Sequence, residues 1–437
     1  MIKNDPHPSW KMSSALIKEY IETGNSSQAL SLIMNWTGSP YQILDKGDWG
    51  EWLSFLVRII TLQSTSSKLI SSANSAADNP FNPDCLLQLG MNLIEGQQPA
   101  VAASVLEYTL KVDPYNHLVL AELVAALEMD GRHDAAAKFL DAAGDMVLSN
   151  PFLLYLKIFN AFFVADIETP RELLPILQKS DDNRITFMTL RIECMLNRSD
   201  FIKDLSSLDP SNERGWHFVL TGGLLLRESP NIIPSDDYSE HYDTREKLVD
   251  DIKMFAMVLD AWNLFPKKIS FPPERNSEIL AHIIAEILNV PTRKWIDDET
   301  AELIAVYDQA YVLPELLEPL RKYSADQFLY MHMADQTKES FVSPDILSGY
   351  YCRNTPIWGP GFGAKNNYIE PSKGTPSSIA NDILKETSGT RVKEGDVKPV
   401  EFAKAVRHFF RDNPLTVSDP TPMRERLWNG SPARYKK

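Results

Sequence analysis

From residue 83 to residue 148, apolar positions recur at the three- and four-residue spacing that gathers side chains on one helix face, and the pattern itself repeats. Leu86, Leu89 and Leu93 are followed at one constant offset by Leu120, Leu123 and Leu127, and Ala102 and Leu106 at the same offset by Ala136 and Leu140. Each copy predicts two helices. The first carries a leucine stripe, and the second opens with small residues where it must approach its partner. Gly131 suits the turn between them, because a residue without Cβ tolerates positive φ. In the earlier copy a glycine, Gly96, stands one position ahead of that register. Asp113-Pro114 closes the earlier copy, since proline cannot continue a helix. Each hairpin has an apolar face it cannot bury alone, so hairpins are expected to stack.

Helical patterning extends on both sides. Residues 13–36 read as a hairpin with Leu16, Ile17, Tyr20 and Ile21 in one stripe. Gly24 and Ala29 there repeat the five-residue spacing of Gly131 and Ala136. Residues 49–63 form a helix rich in large apolar groups, and 64–80 a soft helix or a connector. Residues 151–166 are apolar almost all round and predict a buried helix. Helices follow at 170–179, 184–196 and 199–207. The pattern places a helical-repeat domain at 1–212. The period of the matched positions, with its Leu, Gly and Ala pattern, resembles the tetratricopeptide repeat. That resemblance implies a groove lined by the first helices, with Leu87, Met91, Ile94, Leu118, Ala121 and Ala125 facing it. These positions lack the Lys and Asn with which some such proteins hold a carboxylate tail. An apolar helix of a partner protein, or the chain's own second domain, is the expected occupant.

After residue 212 short apolar runs alternate with amphipathic helices. Strands are predicted at 268–271, 293–296, 303–307 and 328–332, with helices at 244–263, 277–288 and 314–323. Such alternation predicts a mostly parallel sheet with covering helices, so the fold class is α-helical repeats joined to an α/β domain at 213–352. Beyond 353, clustered Pro, Gly, Asn and Ser predict an irregular extension, with a long loop at 356–378, one helix at 399–411 and frayed terminal residues.

Residues 265–334, a strand, Pro-Pro-Glu-Arg-Asn-Ser, a helix and a strand ending in Tyr307-Asp308, resemble the core of type I phosphoribosyltransferases. The resemblance implies a loop that holds ribose and pyrophosphate. Here that loop reads Tyr307-Asp308-Gln309-Ala310-Tyr311, with one acid and neither Gly nor Thr, so a degenerate domain without transferase activity is implied. The loop 272–277 offers an anion site on the residues alone. Arg275 supplies charge, Asn276 and Ser277 open the helix with Ser277 as cap, and Asp308 ends a strand where open α/β sheets place ligands. The competing reading is that Ser277 only caps and Arg275 only pairs with Glu274 or Glu278. Gly222-Gly223 reads as a turn or a close approach. The Gly359–Lys365 stretch lacks the Ser or Thr and the strand–helix setting of a phosphate loop. His332 reads as packed. Asp236-Asp237, Asp250-Asp251 and Asp297-Asp298 have no His neighbours and read as solvated.

Composition narrows function. The chain has 437 residues and a net charge of −15, which disfavours nucleic acid and anionic membrane as partners. No apolar run reaches the length of a membrane span, and the N-terminus has no signal-peptide pattern. Cys85, Cys194 and Cys352 are far apart and odd in number, which points to a reducing cytoplasm rather than a disulfide framework or zinc site. No nucleophile–base arrangement, metal or cofactor is expected. The sequence thus predicts a protein-interaction scaffold or adaptor, with a degenerate domain that senses a phosphorylated small molecule as the alternative.

Overall fold

The computed structural model describes residues 10–37, 46–228, 244–295, 303–321, 327–335, 342–351, 356–359, 361–362, 368–369, 372–389 and 398–411. Its contacts divide into two compact units, Met1–Val164 and Ala165–Lys437. Residues 165–212, which the sequence pattern joins to the repeats, fall within the second unit in this division. Helices predominate, and the main sheet has six strands, all parallel. No helix among the described residues is long and apolar enough to cross a membrane.

The first unit runs α1 (Trp10–Glu22), α2 (Ser26–Thr37), α3 (Lys46–Gln63), α4 (Ser67–Asp78), α5 (Pro83–Glu95), α6 (Pro99–Val112), α7 (His117–Met129), α8 (His133–Ala142), α9 (Asp145–Ser149) and α10 (Pro151–Phe163). From α4 to α8 neighbours in sequence pack on one another, and α10 packs on both α8 and α9. The leucines and alanines matched between the two copies are all at most 1% exposed. The soft stretch 64–80 contains α4, capped by Ser66. At the amino-terminal end, α2 packs on both α3 and α6.

The backbone repeats more strictly than the side chains. Asn82, Asn116 and Asn150 follow one another at the period of the matched leucines, and each caps a helix. Each Oδ1 accepts from the N–H groups two and three residues on. Such a cap satisfies two of the four unpaired donors at a helix start. The turns after the first helices show the same period, with positive φ at Gln97 (58°), Gly131 (69°) and Ala165 (61°). At the first two turns the next N–H reaches back five residues, Gln98 to Leu93 and Arg132 to Leu127. This is the Schellman closure of a helix end. The left-handed residue of the earlier copy is therefore Gln97. Gly96 has φ −79° and only precedes it, so the one-position mismatch in the sequence is a mismatch of residue type and not of backbone.

The second unit runs α11 (Glu168–Leu177), α12 (Asn183–Leu205), α13 (Glu213–Thr221), β1 (Leu224–Leu225), α14 (Arg245–Trp262), β2 (Ile269–Phe271), α15 (Arg275–Leu288), β3 (Thr292–Lys294), β4 (Leu303–Val306), α16 (Pro314–Arg321), β5 (Phe328–Asp335), β6 (Ile346–Tyr351), β7 (Gly361–Phe362), β8 (Tyr368–Ile369), α17 (Pro376–Glu386) and α18 (Lys398–Arg411). The two helices expected at 184–196 and 199–207 are one, because Ser199 is buried and bonds back to Leu196 without breaking the turn. The extension beyond 353 carries two helices rather than one. Thr375 caps α17 and Pro376 fills its first position, and α17 packs on α15 while α18 packs on α14. The pair Asp297-Asp298, the pair Asp236-Asp237, residues 363–365 and Cys352 lie outside the described residues.

Strand order is β1-β6-β5-β4-β2-β3. Alternate residues pack on opposite faces. Leu303, Ala305, Tyr330 and Ile346 meet α14 and α15 on one side, and Ile304, Val306, Met331 and Leu347 form the other core. Gly222 and Gly223 serve two purposes. Gly222 ends α13 at φ 75°, and a Cβ on Gly223 would stand 2.5 Å from the Pro344 carbonyl oxygen. Arg227, just after β1, pairs with Asp250 and the fully buried Asp251 of α14. These two acids are therefore partners of an internal guanidinium and not solvated.

The closest approach within the repeat hairpin is at Gly90, where a Cβ would lie 2.6 Å from two side-chain carbons of the buried Leu106. Gly90→Ala is expected to cost about 1–3 kcal/mol through overpacking. Gly50→Ala, also in a helix but with open space around its Cβ, is expected to be neutral or to stabilise by about 0.5–1 kcal/mol. Thermal melts of the two variants read the difference; equal midpoints contradict the packing.

Candidate functional site

In the sheet the chain leaves β2 for β3 at one edge, returns across β2 to β4, and then proceeds through β5 and β6 in the other direction. The reversal lies between β2 and β4. In doubly wound sheets the crevice outside the carboxyl ends of such strands is where ligands bind. Two segments emerge there, 272–277 after β2 and 307–311 after β4, and they carry all four residues singled out for ligand binding.

Each of the four is engaged within the chain. Glu274 caps α15, its carboxylate accepting from the N–H of Asn276 at 2.7 Å and from that of Ser277. The expectation that Ser277 caps this helix is therefore corrected. Ser277 is fully buried, and its Oγ accepts from the Tyr307 N–H at 2.9 Å, fastening the helix to the end of β4. Asn276 accepts from the Trp358 indole N–H at 2.8 Å. Arg275 pairs with neither glutamate but donates to the carbonyls of Ser372 (3.2 Å) and Gly374 (3.0 Å). Asp308 is 2% exposed and accepts from the Ala310 N–H at 2.8 Å, capping a turn of 3-10 helix at Gln309–Tyr311.

Trp358 fills the crevice. It is 2% exposed, lies 5.0 Å from Tyr307 between ring centroids, and its carbonyl accepts from the Ser372 N–H. Tyr307 also faces the buried His332 at 5.4 Å. The helix N-terminus that an anion would use thus holds a carboxylate of the protein itself. Burial raises the Glu274 pKa above the usual carboxylate value. Burial, reinforced by Asp308 and Glu274, pushes Tyr311 up to about 12. Trp358 and Glu274 are the residues that sequence reasoning missed. Trp358 stands in an irregular stretch with no periodicity to place it, and glutamate is not among the residues that favour an N-cap. No group of three or more His, Cys, Asp or Glu placed to hold a metal occurs among the described residues.

In the first unit, Leu87, Met91 and Ile94 on α5 and Ala121 and Ala125 on α7 are half-buried, while Leu118 is 56% exposed. The six lie on first helices of consecutive hairpins, and α5 packs directly on α7. A separate cavity of about 490 Å³ opens where α2, α3, α4, α5 and α6 meet, and none of these six residues lines it. Polar groups are also buried between hairpins. The Arg132 guanidinium lies 3.9 Å from Glu107 of α6 and 2.9 Å from Asp130. His133 shares a 2.9 Å hydrogen bond with Asn160, which donates to Glu128, and it stacks on Phe163 at 3.9 Å.

Ser277→Ala removes the acceptor of the buried Tyr307 N–H and is expected to cost about 1–3 kcal/mol in urea unfolding. A wild-type unfolding midpoint in that variant contradicts the fastening role. The groups buried between hairpins make stability depend on pH. Burial pushes Glu107 up to about 7 against the pull of Arg132, and burial holds His133 down at about 4 against its Asn160 bond. Between the unfolded carboxyl value of 4.5 and about 7 the folded chain keeps a proton on Glu107 that the unfolded chain has released. Stability from this group therefore falls as pH rises. From about 4 to 6.5 the unfolded chain binds a proton at His133 that the folded chain refuses, so stability from that group rises. The two slopes oppose one another. Glu107→Gln removes the falling one, so its stability relative to wild type is expected to grow from pH 4.5 to 7 by on the order of 3 kcal/mol at most. A constant difference across that range contradicts the assignment.

No protein-family model matches the chain, and a search of curated proteins finds no match either.

Proposed function

We propose that the protein is an interaction scaffold whose helical hairpins, read as tetratricopeptide-like repeats, bind an apolar segment of a partner protein. The observation that carries this reading is the three-fold recurrence, at one constant period, of an asparagine-capped helix followed by a left-handed turn, at Asn82 and Gln97, Asn116 and Gly131, and Asn150 and Ala165. Side chains add support. Leu89-Gly90, Ala102, Leu106 and Pro114 fall at the Leu-Gly, Ala, aromatic-or-large and Pro positions of that repeat. The partner surface is the side of α5 and α7 that carries Leu87, Met91, Ile94, Leu118, Ala121 and Ala125. Its apolar character suits a helix laid in a groove with anchors three and four residues apart.

A second reading is favoured by the strand order. The reversal between β2 and β4 is where a phosphorylated small molecule would sit. Against it stand Glu274 at the helix N-terminus and Trp358 in the crevice, which supports a structural role for the α/β domain.

The test is selection of peptides from a random displayed library on the full chain, followed by fluorescence anisotropy. Selected peptides are expected to be amphipathic and to bind in the micromolar range, about 8 kcal/mol. Leu118→Glu and Ala125→Glu are expected to weaken binding about tenfold or more, with unchanged melting midpoints. Peptides that bind both variants as they bind wild type contradict the assigned face.

A further inference from the structure

We infer that the cavity between α2 and α6 is a second binding site, which takes a short uncharged peptide segment with one bulky apolar side chain. It is distinct from the face assigned to α5 and α7. The volume of about 490 Å³ lies within the range of built ligand pockets. Its floor is apolar, with Leu56 and Leu93 at 1% exposure, Ile60 at 7% and Leu69 at 9%. Its two lips are polar and come from the turn 63–66 with the start of α4 on one side and from the end of α5 and the turn into α6 on the other.

Three features select the occupant. First, Lys68 and Glu95 face one another across the lips at 2.7 Å. They cancel, so the mouth is neutral on a chain of net charge −15, and it offers no counter-charge to an ionic ligand. Second, the buried Asn92, 4% exposed, lines the wall with an under-used carboxamide. Its bonds, Nδ2 to the Lys68 carbonyl at 3.5 Å and Oδ1 from Gln88 at 3.3 Å, are both long. A buried amide so weakly paired gains from a ligand that supplies both a donor and an acceptor, as a peptide group does and a hydrocarbon chain does not. Third, Gln98, in the turn from α5 into α6, stands at the cap position of α6 but makes no side-chain cap bond, which leaves a further carboxamide exposed at the mouth. An apolar side chain on the floor, with its flanking peptide groups held by Asn92 and Gln98, satisfies all three.

The test is methyl NMR of the full chain titrated with the blocked pentapeptide acetyl-Gly-Ser-Leu-Ser-Gly-amide, with its Ala and Asp counterparts at the centre, and with octanol. The leucine peptide is expected to shift the methyl groups of Leu56, Ile60, Leu69 and Leu93, the alanine peptide to bind about tenfold more weakly, and the aspartate peptide not at all. Asn92→Leu and, at the exposed lip, Gln98→Ala are each expected to weaken the leucine peptide about fivefold. Gln98→Ala leaves the fold intact and keeps the test decisive should Asn92→Leu fail to fold. Unmoved methyls at about 10 mM peptide, shifts with octanol but not with peptide, or unchanged binding by Gln98→Ala overturns the inference.

Discussion

An apolar stripe on one helix can be removed from water only by another element, and in the first unit that element is the next hairpin. Leu86, Leu89, Leu93, Ala102 and Leu106 are fully buried because α5 and α6 close on one another and α6 on α7. Stacking of this kind needs every hairpin to turn at the same place and through the same angle. The asparagine caps and left-handed turns supply that constancy. A left-handed turn is costly for a residue with a Cβ, yet the chain accepts it at Gln97 and Ala165. The geometry of the stack therefore outweighs the local preference of the residue.

The second unit applies the same economy to its sheet. A parallel sheet with a strand-order reversal leaves a crevice at the carboxyl ends of β2 and β4, beside the amide groups at the start of α15. In this chain those donors meet Glu274, the crevice takes the Trp358 indole, and Ser277 and Asp308 are spent on holding the ends of α15 and of the turn after β4. A site that looks open in the sequence is filled by a tryptophan far downstream, bonded to Asn276. Functional readings accordingly rest more on the helical unit, where apolar side chains remain accessible and a cavity persists.

Much of the helical unit is legible in the sequence because helix periodicity survives in single residues. The matched leucines and alanines all prove buried. The turn register is less legible, because a glycine signals positive φ and a glutamine or alanine does not, so Gln97 and Ala165 give no cue. The Asn82, Asn116 and Asn150 series is present in the sequence but is masked by the stronger apolar pattern. In the second unit β2, β3, β4 and β5 fall within a few residues of their expected places. β6 has no such signal, because Ser348 and Gly349 interrupt its apolar run and it is buried on both faces, so no alternation marks it. The four candidate ligand residues do converge on one crevice, as strand order requires. Their partners, Trp358, Ser372 and Gly374, are distant in sequence, and no local rule links them.

On the function proposed above, the hairpins, and not the α/β crevice, hold the partner. Hydrogen–deuterium exchange of the full chain with and without a selected peptide tests it most directly. Exchange is expected to slow in residues 83–130, with 269–277 and 303–311 unchanged. Slowing confined to 269–277 and 303–311, with the hairpins unaffected, would contradict it.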